Sequence, residues 1–283
     1  MVIAFFVISN APTDFEVFCR TFNHAMVAGH EYIICASLQM PEYEAVSLDT
    51  IRNWLPTIVE LRTAYRKRMI IFDREPVFHY TDARLHVFSL LDLRQVDYLI
   101  VCDDDFKFTN GQSTNLYKYS SGERYMDCFQ YLETNPACGC IIAKHHLGGG
   151  GMGRKIVPMM SGFFETARGI ILRGRNRSYS DIIDPRLIAP GIGEDVSISI
   201  TPIINGLYTA KAMNTTTHKK PTTKYKFAVT AGNAWQLEFA YQKGVFAQIE
   251  KLFGDFNHGG RLPERLLQHY RETAARLGHT AAY

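Results

Sequence analysis

Apolar residues in this chain fall into short unbroken runs, separated by stretches in which they recur every three or four positions. That is the pattern of buried strands alternating with helices. Residues 2–8 form the first run, and Ser9-Asn10-Ala11-Pro12 closes it as a turn. Phe15, Phe18, Phe22, Ala25 and Met26 follow at helical spacing behind Thr13 and Asp14, either of which can cap a helix. Further strands are expected over 31–36, over 69–72 ending at Asp73, over 97–102 and over 139–143. Helices are expected near 48–67, broken or kinked at Pro56, and over 82–93 and 125–132. Units of roughly thirty residues argue for βαβ crossovers and an α/β fold with a mainly parallel sheet. Ligands of such sheets bind at the carboxyl ends of the strands, which places Ser9, Asp73 and the residues after 102 on one rim.

The run Tyr98-Leu99-Ile100-Val101-Cys102 leads directly into Asp103-Asp104-Asp105. Carboxylates are almost never buried unless paired or on a metal, and residues two apart in an extended segment face the same way. Asp103 and Asp105 can therefore share one target while Asp104 faces elsewhere. A hard cation, Mn²⁺ or Mg²⁺, suits two such carboxylates together with the oxygens of a diphosphate. Taken alone, the triplet reads first as a solvated acidic turn.

Five glycines in six residues at 148–153, followed by Arg154 and Lys155, indicate a loop or a close approach to a ligand. The spacing does not fit a Walker A phosphate loop. Residues 160–164 form a short strand that opens with Ser161-Gly162. Pro190-Gly191-Ile192-Gly193 then precedes Glu194-Asp195, with apolar residues at 196, 198 and 200 beginning an element that would hold the acids in place. The polar stretch 215–221 reads as a loop containing His218, Lys219 and Lys220, and helical spacing returns over 235–253 and 263–277.

Composition is that of an ordinary globular chain of 283 residues. No apolar run approaches the ~20 residues of a membrane span, and the first residues lack a basic signal-peptide flank. A cytoplasmic protein is expected, with its six scattered cysteines reduced. Net charge is only +3, yet segments 144–177 and 206–226 carry +11 against −8 for the remainder. Such asymmetry suits a polyanionic partner or, equally, solvated basic loops.

Together, the Asp triplet after a buried strand and the Gly193-Glu194-Asp195 segment resemble the GT-A nucleotide-sugar glycosyltransferases, of the inverting type with a Glu-Asp motif. The resemblance implies a Rossmann-like central sheet flanked by helices. It implies a GT-A domain over 1–226, with a nucleotide-sugar half at about 1–110 and an acceptor half at about 111–226, and a C-terminal helical extension over 227–283. By the same likeness Asp195 is the general base, with Glu194 orienting it or binding acceptor. Ser9, Asp73, Arg84, Asp103, Asp104, Ser161 and Gly162 contact the nucleotide sugar, a UDP-sugar before others. Asp103, Asp105 and His218 hold Mn²⁺ or Mg²⁺. The basic acceptor side, Arg154, Lys155, Arg173, Arg175, Lys219 and Lys220, is similar to that of phage enzymes that glycosylate hydroxymethylated pyrimidines in DNA, which act in the host cytoplasm. A protein or glycan acceptor is the alternative. A nucleotidyltransferase and a non-catalytic nucleic-acid-binding domain are the other classes, the first disfavoured because Ser9–Pro12 is not a Gly-rich nucleotide loop.

Overall fold

The computed structural model describes residues 1–67, 80–111, 119–143, 156–158, 169–184, 197–199, 201–202, 205–212 and 217–219. The first apolar run forms β1 (Val2–Ser9), and Pro12 opens α1 (Pro12–Thr21). Pro is tolerated there because its missing N–H would have had no intrahelical acceptor. Ala11 is the N-cap and no side chain caps the helix, so Thr13 and Asp14 do not act as caps; Asp14 instead lies in the first turn, where the helix dipole favours an acid. Strand β2 (Glu31–Met40) is longer than expected. Helix α2 (Leu48–Trp54) is capped by Ser47, whose Oγ accepts from the Thr50 amide at 3.1 Å.

Beyond Pro56 the chain departs from the sequence expectation. Val59–Lys67 is not a continuing helix but a strand, β3, parallel to β2. Its two-residue alternation, half-buried on one edge of the sheet, fits a strand with only one neighbour. The strand expected over 69–72 lies outside the described residues. Helix α3 (Tyr80–Phe88) ends short of residue 93, where Asp92 caps a 3₁₀ turn over Leu93–Gln95. Then come β4 (Tyr98–Asp103) and β5 (Phe106–Phe108). Helix α4 (Ser121–Thr134) starts four residues before the predicted 125, fixed by a capping box between Ser120 and Glu123.

Strand β6 (Cys138–Ala143) was expected; β7 (Ile156–Pro158) and β8 (Gly169–Arg173) were not. Two more strands close the set, β9 (Tyr208–Ala212) and β10 (Thr217–Lys219), the latter inside the stretch expected to be a loop. The eight-stranded sheet has the order β3-β2-β1-β4-β8-β6-β9-β7, and β5 pairs with β10 in a small second sheet. Strands β1 to β4 are mutually parallel, β8 runs antiparallel between β4 and β6, β9 is parallel to β6, and β7 is antiparallel to β9. The Gly-rich run 148–153, residues 160–164 and the helices expected over 235–253 and 263–277 lie outside the described residues.

Both faces of the sheet are covered, which is why β1 and β4 are apolar without alternation. Ile3, Phe5 and Val7 point into a core shared with α1 and α4, while Ala4 and Phe6 point into a second core with Val87 and Phe88 of α3 and with Ile182, Ile183 and Ile198. In the first core Phe5, Phe18 and Phe22 surround Phe108 edge-on, with ring centroids 5.0–5.9 Å from it. That cluster pins β5, and so the turn between β4 and β5. Gly139 of β6 lets residue 202 approach, since a Cβ there would lie 2.3 Å from Pro202 Cβ. Among the described residues no helix is long and apolar enough to cross a membrane.

Candidate active site at the carboxyl edge of the sheet

Register aligns the carboxyl ends of β1, β2 and β4: Ile8 lies opposite Asp103 and Ser37, and Ser9 opposite Leu38. At this edge the apolar runs end in polar residues, of which Ser9, Asn10, Ser37 and Gln39 are all buried. Strand alternation sends the first two acids of the triplet to opposite faces. Asp103 turns toward α3 and lies 3.6 Å from Nη2 of Arg84. Asp104 turns the other way and accepts a hydrogen bond from Ser9 Oγ at 2.5 Å. Asp104 and Asp105 form the turn into β5, and Asp105 is half-buried.

Arg84 is 4 % exposed, and a charge so placed has to be paired. Its Nη1 donates to Phe6 O at 3.2 Å and to Cys102 O at 3.1 Å, bridging β1 and β4 beneath the rim. The guanidinium therefore holds the two strand ends together while it aligns Asp103. The Asp103 side chain keeps 41 % of its surface exposed.

Burial pushes the Asp104 carboxyl up to about 7; the Ser9 hydrogen bond works against that shift, and the charges of Asp105, Asp103 and Asp14 add to it. Three consecutive acids meet at this half-buried edge, and a divalent cation bound there would relieve their mutual repulsion. Hard cations of this type take one or two carboxylates and complete their shell with water and substrate phosphates. Asp103 and Asp105 are the carboxylates at this edge that could take part in such a shell. Among the described residues no group of three or more His, Cys, Asp or Glu could hold a metal. The backbone of His218 pairs opposite Lys107, two residues beyond Asp105, and Lys219 pairs opposite Phe106. Strand β10 thus brings both positions alongside the triplet; their side chains lie outside what is described.

Arg173 and Arg175 were expected on the acceptor side, and the structure places them elsewhere. Arg173 pairs with Tyr98 at the amino end of β4, five residues and about 16 Å along the strand from Asp103. Its Nη2 donates to Leu132 O, Asn135 O and Cys138 O at 2.7, 2.9 and 3.1 Å, closing the carboxyl end of α4. Arg175 Nε lies 2.5 Å from Asp97 Oδ1 at that same far end. Arg173 is thereby a structural cation and Arg175, 68 % exposed, forms a surface ion pair, a distinction that a count of charges does not reveal.

Asp73, Arg154, Lys155, Ser161, Gly162, Glu194, Asp195 and Lys220 lie outside the described residues. The residues just after the acid pair, 197–199 and 201–202, are helical. Thr201 Oγ1 donates to Ser197 O at 2.7 Å and accepts from the Asp184 amide at 2.8 Å, and Thr209 Oγ1 donates to Ser199 O at 2.9 Å. The site also contains residues that the sequence reading passed over. Tyr43 is buried in the turn after β2, and its hydroxyl is hydrogen-bonded to Ser9 Oγ. Gln39 Nε2 donates to Ser37 Oγ at 2.9 Å. A signal for Ser37 and Gln39 was present, since they end an apolar run as Ser9 does; Tyr43 carries no such signal.

No protein-family model matches the chain. No curated protein matches it in sequence. Solved structures do match it in fold. A crystal structure of S. aureus TarS 1–349 superposes with a TM-score of 0.51 at 9 % identity, covering 98 % of this chain and 72 % of that one. A second crystal structure of S. aureus TarS gives a TM-score of 0.52 at 10 % identity, with 97 % of this chain matched to 43 % of that chain. The chain thus spans less than half of that longer TarS structure. The strand order, the helices on both faces and this likeness together establish a GT-A, Rossmann-like fold.

Proposed function

We propose that this protein is a metal-dependent glycosyltransferase that moves a sugar from a nucleoside diphosphate sugar, a UDP-sugar before others, to an acceptor hydroxyl. The observation that carries the reading is the Asp103–Asp105 turn at the carboxyl edge of a GT-A sheet, with Asp103 aligned by buried Arg84 and Asp104 by Ser9. Asp103 and Asp105 hold Mn²⁺ or Mg²⁺ together with the donor diphosphate, and His218 is the third candidate ligand. When bound, the cation neutralises the charge that builds on the departing diphosphate. Arg84 aligns the Asp103 carboxylate at that position, and Ser9 anchors the turn through Asp104. Asp195 takes the proton of the acceptor hydroxyl, Glu194 orients it, and attack opposite the leaving group inverts the anomeric centre. Asp73, Ser161 and Gly162 complete the donor contacts.

For the acceptor we propose the hydroxymethyl group of a modified pyrimidine in DNA, on the strength of the basic segments 144–177 and 206–226. Of the candidate cations there, Arg154, Lys155, Lys219 and Lys220 remain for that role after Arg173 and Arg175 are placed at the far end of β4. Radiolabel transfer from a panel of UDP-sugars with Mn²⁺, offered hydroxymethylated DNA, plain DNA, glycan and protein, tests both halves. Label on hydroxymethylated DNA alone supports the DNA reading, and label on glycan or protein replaces it. Donor hydrolysis or transfer that survives Asp105→Ala removes the metal-site assignment.

A further inference from the structure

Tyr43 is buried to 1 % exposure in a turn without regular secondary structure, yet its hydroxyl reaches the candidate donor site. Ser9 Oγ touches Tyr43 OH on one side and Asp104 Oδ2, at 2.5 Å, on the other. A serine has one hydroxyl proton. When Asp104 is ionised, Ser9 gives that proton to the carboxylate and the Tyr43 hydroxyl then donates to Ser9 Oγ. The chain of bonds therefore runs one way, from Tyr43 to Ser9 to Asp104.

Both ends of this chain behind the carboxylate are fixed by the fold. The Tyr43 ring packs edge-on against Phe15 of α1, with centroids 6.4 Å apart, and its carbonyl accepts from the Val46 amide at 3.1 Å. Ser9 is held by β1 in register with Leu38 of β2. Asp104 is the member on a two-residue turn, between Asp103 at the end of β4 and Phe106 at the start of β5. We propose that Tyr43 is a positioning residue of the donor site: through Ser9 it sets the Asp104 carboxylate, and with it the turn that presents Asp103 and Asp105. This rests on the reading of that turn as the donor and metal site.

The test is a double-mutant cycle on Tyr43→Phe and Ser9→Ala, read as donor KM, Mn²⁺ half-activation and kcat, with Asp105→Ala as the control for the site itself. A hydrogen bond to a charged group is lost in Ser9→Ala and a neutral one in Tyr43→Phe. Donor KM and Mn²⁺ half-activation are expected to rise about tenfold or more in the first and about fivefold in the second, with kcat changed less than twofold. The double variant is expected to be no worse than Ser9→Ala, because Tyr43 acts only through Ser9. If Tyr43→Phe does not fold, Ser9→Ala alone carries the test, and unchanged donor KM in that variant overturns the proposal. A multiplicative double variant, or a Tyr43→Phe enzyme with unchanged donor KM, overturns the proposal while Asp105→Ala stays inactive. Loss of stability without a change in KM means that Tyr43 only packs, and overturns it equally. If Asp105→Ala itself binds donor and metal normally, the donor-site reading falls, and this inference with it.

Discussion

Asp104 lies between two carboxylates, and its own carboxyl titrates near 7 because burial disfavours the charged form. The unfolded chain has an ordinary carboxylate there, so between about pH 4 and 7 the folded protein binds more protons than the unfolded one. Stability from this residue is therefore complete below pH 4, declines as pH rises, and is gone above about 7. In metal-free protein, urea unfolding of Asp104→Asn at pH 4.5 and 7.5 is expected to show the variant gaining on the parent at the higher pH. An equal difference at the two values contradicts the assignment. Arg84 gives a second test at the same scale. Lys keeps the charge but cannot fork to Phe6 O, Cys102 O and Asp103 together. Arg84→Lys is expected to fold with a lowered Tm and to bind donor about tenfold more weakly, since an imperfectly paired buried cation costs on the order of 1–3 kcal/mol. Wild-type donor affinity in that variant would show that Arg84 only supports the sheet. The rim placement of Ser9 and the Asp triplet was legible because each follows an apolar run that ends at that edge, whereas Arg84 was named only through the GT-A resemblance. Tyr43 was not legible, because its role depends on a turn after β2 that no periodicity announces.

At the scale of elements, β5 is a three-residue strand whose two buried rings do more than its length suggests. Phe108 plugs the aromatic cluster of Phe5, Phe18 and Phe22, and Asp105 is attached to the same strand. Phe108→Ala is expected to cost about 3–5 kcal/mol in urea unfolding. It should also weaken metal-dependent nucleotide binding more than Ile171→Ala, a buried change on β8 of about 2–5 kcal/mol. Equal binding in the two folded variants would mean that the aromatic cluster does not hold the turn. Elements with two covered faces, β1, β2, β4 and β6, could be read from their continuous apolar runs. The short or partly covered strands could not: β3 was merged with the preceding helix across Pro56, and β7, β8 and β10 are too short to show a period. Lys219 and His218 were placed in a loop for that reason, although pairing with β5 is what brings them beside the triplet.

For the whole molecule, the antiparallel β8 joins a parallel group, β1 to β4, to the β6–β9 pair in one continuous sheet. Strands from before and after residue 110 therefore belong to one sheet. The six cysteines are free thiols, all buried. Burial pushes the thiols of Cys35, Cys128 and Cys140 up to about 12, far from the range in which they react. A thiol reagent at pH 8 is expected to label the native protein slowly and to reach six thiols only on denaturation; fast labelling of the native state would contradict the packing described. Charge counting could not separate cations that face a ligand from cations that close a helix, as Arg173 does.

The account stands or falls on the carboxyl edge of β4. Thermal unfolding of the parent chain and of Asp105→Ala, each with nucleoside diphosphates and their sugars in Mn²⁺ or EDTA, measures it directly. A ligand at a hundred times its dissociation constant stabilises the native state by about 2.7 kcal/mol. The account predicts a shift of that order for the parent chain with one nucleotide in Mn²⁺, and its loss both in EDTA and in Asp105→Ala. No shift with any nucleotide, or a shift indifferent to metal and to Asp105, would contradict it.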